Sequence, residues 1–499
     1  MNSASALSST PSGNQQPPTV RPAAVAGMFY PADRHELSEL VDSLLADLRL
    51  ADPRLAAPQL VASAPSTADS ESNSEPIPSR VVVCPHAGLV YSGRLAARSI
   101  RSLQEWDRTR HSITTIAIFG PNHRVPWRGA CLSGHDKWAT PLCEVAVDKQ
   151  LQQWALTQPN VKVAPAVHAQ EHSAEVELPF LQRAFPQARV LPMVIGQMEA
   201  HEVAALMEQV LADPGAAVLV SSDLSHFLRD DDARQVDEIT LKKVGALESI
   251  GPREACGAFS WNGLSEVAAK LGFEPVVLES ATSADAVIDG VRMGDRPGGA
   301  DSVVGYASVA YVEVGEKLPG MARQAIESEL GVRTGEPLIP DHPWLRTNGA
   351  SFVTINTVSG VVRGAPPRLR GCIGTLEAYQ PLGVDVVRHA QAAAFEDPRF
   401  RPVTADELDS LRIEVSVLSA PQSLGRISRD EALATIRPGI DGVTIFSRRG
   451  RATFLPQVWE QLPDADEFLM HLQAKAGWAR GSWPDDTEVS IYTVRSWEE

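Results

Sequence analysis

Short apolar runs rich in β-branched residues recur through the first 312 residues, and segments of helical composition separate them. Parallel sheets that are buried on both faces are made of continuous apolar strands joined by helices. The pattern therefore predicts an α/β domain in which helices flank a central mixed sheet. Strands are expected at residues 81–83, 116–119, 190–195, 218–220 and 303–312, and helices at 37–48, 175–185, Ala200–Leu211 and 237–248.

Composition divides the chain further. Residues 1–20 have almost nothing to bury and predict a disordered tail, and the Ala-, Pro-, Ser- and Glu-rich residues 51–79 predict a flexible insertion. The α/β domain is expected to span residues 21–314. Residues 315–320 have the Gly and Pro content of a linker. A second, α+β domain is expected over residues 321–499, with a helix at 322–330 and strands at 351–356 and 413–418.

Charge and cysteine content exclude several classes of protein. The 499 residues carry 45 basic and 62 acidic side chains, a formal charge of −17, which disfavours a nucleic-acid partner. The first 20 residues lack the features of a secretory signal, and no apolar run is long enough to span a bilayer. Five scattered cysteines do not suggest a disulfide framework. These features predict a cytoplasmic protein without a membrane partner.

Three predicted strands run directly into a polar loop that contains a histidine. The histidines are His86, His123 and His226. Ligands of open α/β sheets bind beyond the carboxyl ends of the strands, so the three loops are expected to share one pocket. Imidazole nitrogens suit iron, copper or zinc, and Cys256 can add a thiolate. His172 and Glu175, three residues apart, could form a polar pair on one helical face.

A structural interpretation of each residue stands beside the functional one. A single histidine after a strand is more often a loop residue than a metal ligand, and a single cysteine is more often a small buried hydrophobe. The recurrence of the histidine loops in one domain favours the functional interpretation.

Seven motifs, in this order, resemble the Memo family across residues 21–314. That family is similar to the LigB-type extradiol dioxygenases, whose non-haem iron is held by two histidines and a glutamate. The motifs are residues 21–31, Pro85-His86-Ala87-Gly88 with Tyr91-Ser92-Gly93, Gly120-Pro121-Asn122-His123, Glu171-His172-Ser173, Leu178-Pro179-Phe180, Ser221-Ser222-Asp223-Leu224-Ser225-His226 and Cys256-Gly257.

The resemblance implies roles for the residues in these motifs. His86, His123 and Cys256 match the family's metal ligands, and His226 matches the acid/base histidine of the dioxygenases. Asp223 and His172 are implied to line the same pocket. A thiolate in place of the glutamate favours softer ions such as copper(I), so aromatic ring cleavage does not follow from the resemblance.

Residues 321–499 resemble the AMMECR family. The motifs are Asn348-Gly349-Ala350-Ser351-Phe352-Val353-Thr354, Leu369-Arg370-Gly371-Cys372-Ile373-Gly374, residues 393–400, Glu414-Val415-Ser416-Val417-Leu418 and residues 453–459. Arg370 lies two residues from Cys372, and a neighbouring cation favours a reactive thiolate. Glu396 and Arg399 could reach the same cleft. In the structural alternative, Cys372 is a buried thiol and Glu396, Asp397 and Arg399 form a capping and salt-bridge cluster.

Memo-like and AMMECR-like proteins belong, with a radical SAM protein, to the AmmeMemoRadiSam system, and the resemblance implies a radical SAM partner. The leading hypothesis is a redox enzyme that binds iron, or copper, through His86, His123 and Cys256 and acts on dioxygen or a small substrate. His226, oriented by Asp223, would move a proton. Zinc-assisted hydrolysis is the second hypothesis. The third is a non-enzymatic adaptor that binds a peptide or small ligand.

Overall fold

The computed structural model describes residues 19–46, 76–110, 113–358, 368–479 and 481–499. Most of the predicted tail (1–20) and insertion (51–79) lies outside these residues. The described part of the chain forms two compact units, of which the first extends to Ala269 and resumes over Phe273–Val312, and the second comprises Lys270–Gly272 and Glu313–Glu499. No helix among the described residues is long and apolar enough to cross a membrane.

The first unit contains a mixed sheet, which has nine strands among the described residues. The elements of this part of the chain are β1 (Val20–Arg21), α1 (Arg34–Ala46), β2 (Val81–Cys84), α2 (Leu89–Thr109), β3 (Thr115–Pro121), β4 (Ala130–Leu132), β5 (Lys137–Ala139), β6 (Glu144–Ala146), α3 (Lys149–Ala155), β7 (Val161–Val163), α4 (Pro165–His168), α5 (Leu178–Ala184), β8 (Arg189–Ile195), α6 (Ala200–Leu211), β9 (Ala216–Ser221), β10 (His226–Leu228), α7 (Asp230–Gly245), α8 (Ala258–Leu271), β11 (Phe273–Thr282), β12 (Val287–Ile288), β13 (Val291–Arg292) and β14 (Val303–Glu313).

The centre of this sheet is parallel. Strands β2, β9, β3 and β8 lie side by side in that order and are paired in parallel. Antiparallel partners flank them, β14 on β2 and β4 on β8. Every residue of β2, β3 and β9 is buried, as expected for parallel strands covered by helices on both faces. The α/β class with a mixed central sheet is confirmed.

The observed helices can be compared with the predicted ones at their first residues. Asp33 accepts hydrogen bonds from the backbone N–H groups of His35 (2.8 Å) and Glu36 (3.0 Å) at the start of α1, which begins at Arg34, before the predicted range. Helix α6 has the predicted bounds. Helix α7 begins at Asp230, seven residues before the prediction, because its first turn is acidic rather than apolar. Acidic residues stabilise the positive end of the helix dipole.

The second unit is α+β, as predicted. Its elements are α9 (Leu318–Glu329), α10 (Pro343–Arg346), β15 (Asn348–Thr357), β16 (Arg368–Gly374), β17 (Gln380–Pro381), α11 (Leu382–Phe395), β18 (Leu411–Leu418), β19 (Gln422–Arg426), α12 (Arg429–Thr435), β20 (Gly442–Ser447), β21 (Gly450–Phe454), α13 (Ala465–Lys475), β22 (Glu488–Tyr492) and β23 (Val494–Glu498). Among the described residues, a five-stranded sheet has the order β16-β15-β18-β23 with β17 on β15, and a four-stranded sheet has the order β19-β22-β20-β21.

The predicted linker at residues 315–320 is wrong. A 3₁₀ helix covers Val314–Lys317, and α9 starts at Leu318. Leu318 and Pro319 are buried. Proline is compatible with the first turn of a helix, where its missing N–H needs no partner, so Pro319 helps to begin α9 instead of interrupting the chain.

Candidate metal centre

The loops that follow β2, β3 and β9 bring the predicted site residues to one edge of the sheet. His86 lies two residues after the end of β2, His123 two residues after β3, and Asp223 two residues after β9. These strands are parallel and adjacent in the order β2-β9-β3. Their carboxyl ends therefore meet, as the sheet topology requires.

His86, His123 and Cys256 come together at this edge. Their ligand atoms all lie within 4.8 Å of one another, and Nε2 of His86 lies 3.4 Å from Sγ of Cys256. Nitrogen and sulfur donors on one tetrahedral ion, at metal distances of about 2.0 and 2.3 Å, lie about 3.5 Å apart. The donor set therefore fits a single transition-metal ion.

A hydrogen bond behind the ring fixes the tautomer of His86. The Ser221 hydroxyl donates to the carbonyl oxygen of Ser173 at 2.5 Å, and this oxygen can only accept. Ser221 must therefore accept the hydrogen bond that joins its Oγ to Nδ1 of His86 at 2.6 Å. Nδ1 carries the proton, so Nε2, the atom near Cys256, keeps the lone pair that a metal needs.

Glu171 orients His123 in the same way. Its carboxylate accepts from Nδ1 of His123 at 2.9 Å and from the backbone N–H of the same residue at 2.6 Å. Burial alone would raise the pKa of Glu171, but the hydrogen bonds from His123 and from the Ser173 backbone lower it to about 2. The carboxylate is thus ionised and holds the Nδ1 proton, which leaves Nε2 of His123 free. A carboxylate behind a histidine ligand is a frequent feature of metal sites.

Cys256 is half-buried against the loop that follows β9. The backbone N–H of Asp223 donates to its sulfur at 3.2 Å. Burial, followed by the charge of Asp223, raises the pKa of the Cys256 thiol well above its usual range. A bound cation reverses this preference, because a coordinating thiol loses its proton.

His226 and Asp223 have different partners from those predicted. Nδ1 of His226 donates to the carbonyl of Leu224 at 2.8 Å, so Nε2 is the free proton acceptor. Oδ1 of Asp223 accepts from the backbone N–H of His86 at 2.9 Å, and Oδ2 lies 4.0 Å from Nε2 of His86. The prediction that Asp223 orients His226 is therefore wrong, since a carbonyl performs that task.

The predicted polar pair of His172 and Glu175 is also wrong. Residues 173–177 form turns, and α5 begins only at Leu178. Glu175 forms a buried ion pair with Arg21 at 2.5 Å. The ring of His172 stacks on His123 with centroids 4.6 Å apart. Burial, followed by the charge of His123, lowers the pKa of His172 to about 4.

A cavity of about 510 Å³ opens beside the donor set, in the size range of small-molecule sites. His172 and Asp223 form part of its wall. The three donor residues and His226 are not among the described residues that line it. None of the lining side chains, within the described part of the chain, is a lysine or arginine. The remaining lining residues are Phe29, Ala87, Gly88, Tyr91, Ser283, Met293, Gly298, Gly299, Ser302, Val304 and Tyr306.

In the second unit, the charged partner of Arg370 is Glu407 and not Cys372. The Arg370 guanidinium forms a two-bond ion pair with Glu407, at 2.9 and 3.0 Å. Cys372 donates its backbone N–H to Asp397 at 2.9 Å and accepts at Sγ from the Thr354 hydroxyl at 3.4 Å. Asp397 also pairs with Arg399, while Glu396 is exposed. The Asp397–Arg399 pair matches the structural alternative.

Comparison with known families follows the division into two units. The model of the Memo-like protein family matches residues 21–310. The chain belongs to the Memo-like protein family. The AMMECR1 family model matches residues 319–497 of the same chain, so the predicted fusion of a Memo-like part with an AMMECR-like part is confirmed.

Relatives of the Memo-like part are similar over their whole length. The MEMO1 family protein of Aquifex aeolicus is 29% identical over 297 residues, which are 59% of this chain and 99% of that protein. The MEMO1 family protein of Sulfolobus acidocaldarius is 34% identical over 309 residues, 58% of this chain and 99% of that protein.

Among solved structures, an uncharacterized protein from Pyrococcus horikoshii is similar to a part of this chain. It has 36% sequence identity, covers 37% of this chain and 91% of that chain, and has a TM-score of 0.32.

Sequence reasoning missed two residues that shape the Memo-like site. Glu171 stood in a recognised motif but had no predicted role, although an acidic residue beside a pocket histidine was a usable signal. Ser221 also stood in a recognised motif but had no predicted role, because a serine at the end of a buried strand is common in any α/β protein. The role of Ser221 in fixing the tautomer of His86 follows only from its hydrogen bonds in the folded structure.

Proposed function

We propose that the Memo-like domain is a metal-dependent redox enzyme in which His86, His123 and Cys256 hold one non-haem iron ion, with copper as the alternative. The observation that carries the proposal is the convergence of three donor atoms within 4.8 Å, with both imidazoles in the metal-binding tautomer. When bound, such an ion supplies one-electron chemistry and polarises a substrate.

The residues around the donor set have distinct roles in this proposal. The cavity wall of aromatic and small residues holds a small, weakly charged substrate and excludes water. His226 exchanges a proton at Nε2, because Nδ1 is committed to the Leu224 carbonyl. Burial lowers the pKa of His226, which keeps the ring neutral and able to accept that proton.

Zinc-assisted hydrolysis is the second candidate, since two nitrogen donors and one sulfur donor also suit catalytic zinc. The preference for iron or copper rests on the resemblance to the oxygen-using dioxygenases, from which zinc would be a departure. The fusion to an AMMECR1 domain supports the further proposal that a radical SAM protein is the partner of this chain.

The redox proposal predicts how the protein behaves with different ions. Metal-free protein, prepared without oxygen, is reconstituted separately with iron(II), copper(I) and zinc(II) and then exposed to air. We expect the iron or copper form to be oxidised and then reduced again by dithionite, with the ion retained in both steps, as followed by absorption and elemental analysis. Stoichiometric binding of zinc alone would instead favour the hydrolytic candidate.

A further inference from the structure

A buried chain of polar groups lies behind His86, on the side away from Cys256. Glu177 and Cys84 are both fully buried. The Cys84 thiol donates to Oε2 of Glu177 at 2.9 Å, and Oε1 of Glu177 lies 3.4 Å from Oγ of Ser221. Since Ser221 bonds to Nδ1 of His86, one hydroxyl separates the Glu177 carboxyl from a proposed metal ligand.

The hydrogen-bond directions around Ser221 indicate the protonation state of Glu177. The single hydroxyl proton of Ser221 is donated to the Ser173 carbonyl, so toward Glu177 the hydroxyl can only accept. An ionised Glu177 would place a carboxylate oxygen against an oxygen that offers no proton. A protonated Glu177 donates to Ser221 and satisfies both groups, which a buried site strongly favours.

The charged and titratable groups around Glu177 favour the same state. Cys84 on β2 and Asp223 after β9 act on Glu177, as does the Ser221 hydroxyl on β9, and none of these groups is a cation. Burial raises the pKa of Glu177 to about 8, against the lowering effect of the Cys84 hydrogen bond. The carboxyl is therefore neutral at neutral pH but close to releasing its proton.

We infer that Glu177 is a proton-releasing residue of the metal centre, which loses its carboxyl proton to solvent when a cation is held by His86, His123 and Cys256. The inference rests on the proposed metal centre. A positive charge beyond His86 stabilises the carboxylate through the chain of His86 and Ser221, and by reciprocity the carboxylate strengthens cation binding. Glu177 thus acts through Ser221 and His86 as a positioning residue.

The test is the number of protons released when metal-free protein binds zinc(II) or iron(II) without oxygen, measured by calorimetry in buffers of different ionisation enthalpy. The measurement is made slightly below the Glu177 pKa of about 8, where most of the metal-free protein still carries the Glu177 proton. There we expect Glu177→Gln to release fewer protons than the wild type. We also expect the difference to vanish well above that pH, where Glu177 is already ionised before the metal binds. The proton that Cys256 loses on coordination is common to both proteins, so the difference reports Glu177.

Asp237→Asn is the matched control, because Asp237 is a second buried carboxyl whose pKa burial raises, to about 6. Its carboxylate accepts from the backbone N–H of Ser225 and has no part in the chain to His86. An equal loss of released protons in Asp237→Asn would overturn the inference, as would identical proton counts for Glu177→Gln and the wild type. If the wild type binds no ion, the proposed metal centre itself fails.

A second measurement needs no metal. The folded-state pKa of Glu177 lies above its ordinary value, so its proton stabilises the fold fully at acid pH, and that stabilisation is lost as the pH rises toward and through about 8. We expect the unfolding midpoint of metal-free wild type to fall, relative to Glu177→Gln, over this range. A constant difference between the two proteins would show that Glu177 is already ionised and would contradict the inference.

Discussion

Replacing Cys256 with serine is expected to weaken metal binding by more than about a hundredfold. Residues behind the ligands already change metal affinity by about 10- to 100-fold, and loss of a donor atom that lies 3.4 Å from Nε2 of His86 has a larger effect. A serine hydroxyl does not ionise to replace the thiolate. The measurement is competition of the protein against a chelator of known affinity, under anaerobic conditions.

Cys143→Ser is the control for this experiment, since Cys143 is an exposed thiol and its loss is expected to leave the affinity unchanged. Equal metal affinities of Cys256→Ser and Cys143→Ser would show that Cys256 is not a metal ligand.

Glu171→Gln is expected to weaken metal binding by about 10- to 100-fold, which is less than Cys256→Ser and more than Cys143→Ser. The reason is that the neutral amide no longer holds the Nδ1 proton of His123 with a full negative charge.

Replacing Arg21 with alanine is expected to destabilise the first unit by about 3–5 kcal/mol, because it leaves the buried carboxylate of Glu175 without its cation. The two side chains are 2% and 0% exposed. Arg21 also donates to the carbonyl oxygens of His168 and Glu171, and its guanidinium lies 4.0 Å from the ring centroid of Trp138. The measurement is the free energy of unfolding in urea.

Arg183→Ala is the matched control for Arg21→Ala. Arg183 forms a two-bond ion pair with Asp42 at 2.7 Å, but both side chains are more than 40% exposed. Exposed pairs contribute at most about 1 kcal/mol, so the control is expected to shift unfolding only slightly. Similar losses in the two variants would show that the buried pair has no special role.

The fold class was predictable because the central strands have a distinctive sequence pattern. Strands β2, β3 and β9 are continuous apolar runs, and a run of that kind has few alternatives to a buried parallel strand. The short strands β4–β7 were not predictable, since each has only three residues. Their pairing is set by tertiary contacts rather than by local sequence.

The candidate site was predictable in its residue types but not in its hydrogen bonds. Strand ends place His86 and His123 together by topology alone, whereas Cys256 comes from a distant part of the chain and was assigned through the family resemblance. The hydrogen-bond and ion-pair partners of these side chains were harder to predict, because a side chain often has more than one polar neighbour within reach. Glu175 forms an ion pair with Arg21 rather than a contact with His172, and Arg370 forms an ion pair with Glu407 rather than a contact with Cys372.

X-ray absorption spectroscopy on anaerobically reconstituted protein tests the metal centre most directly. We predict a single metal ion with one sulfur donor at about 2.3 Å and two imidazole nitrogens at about 2.0–2.1 Å, and loss of the sulfur shell in Cys256→Ser. A spectrum of the wild type with no sulfur donor, or with oxygen donors alone, would contradict the proposed site.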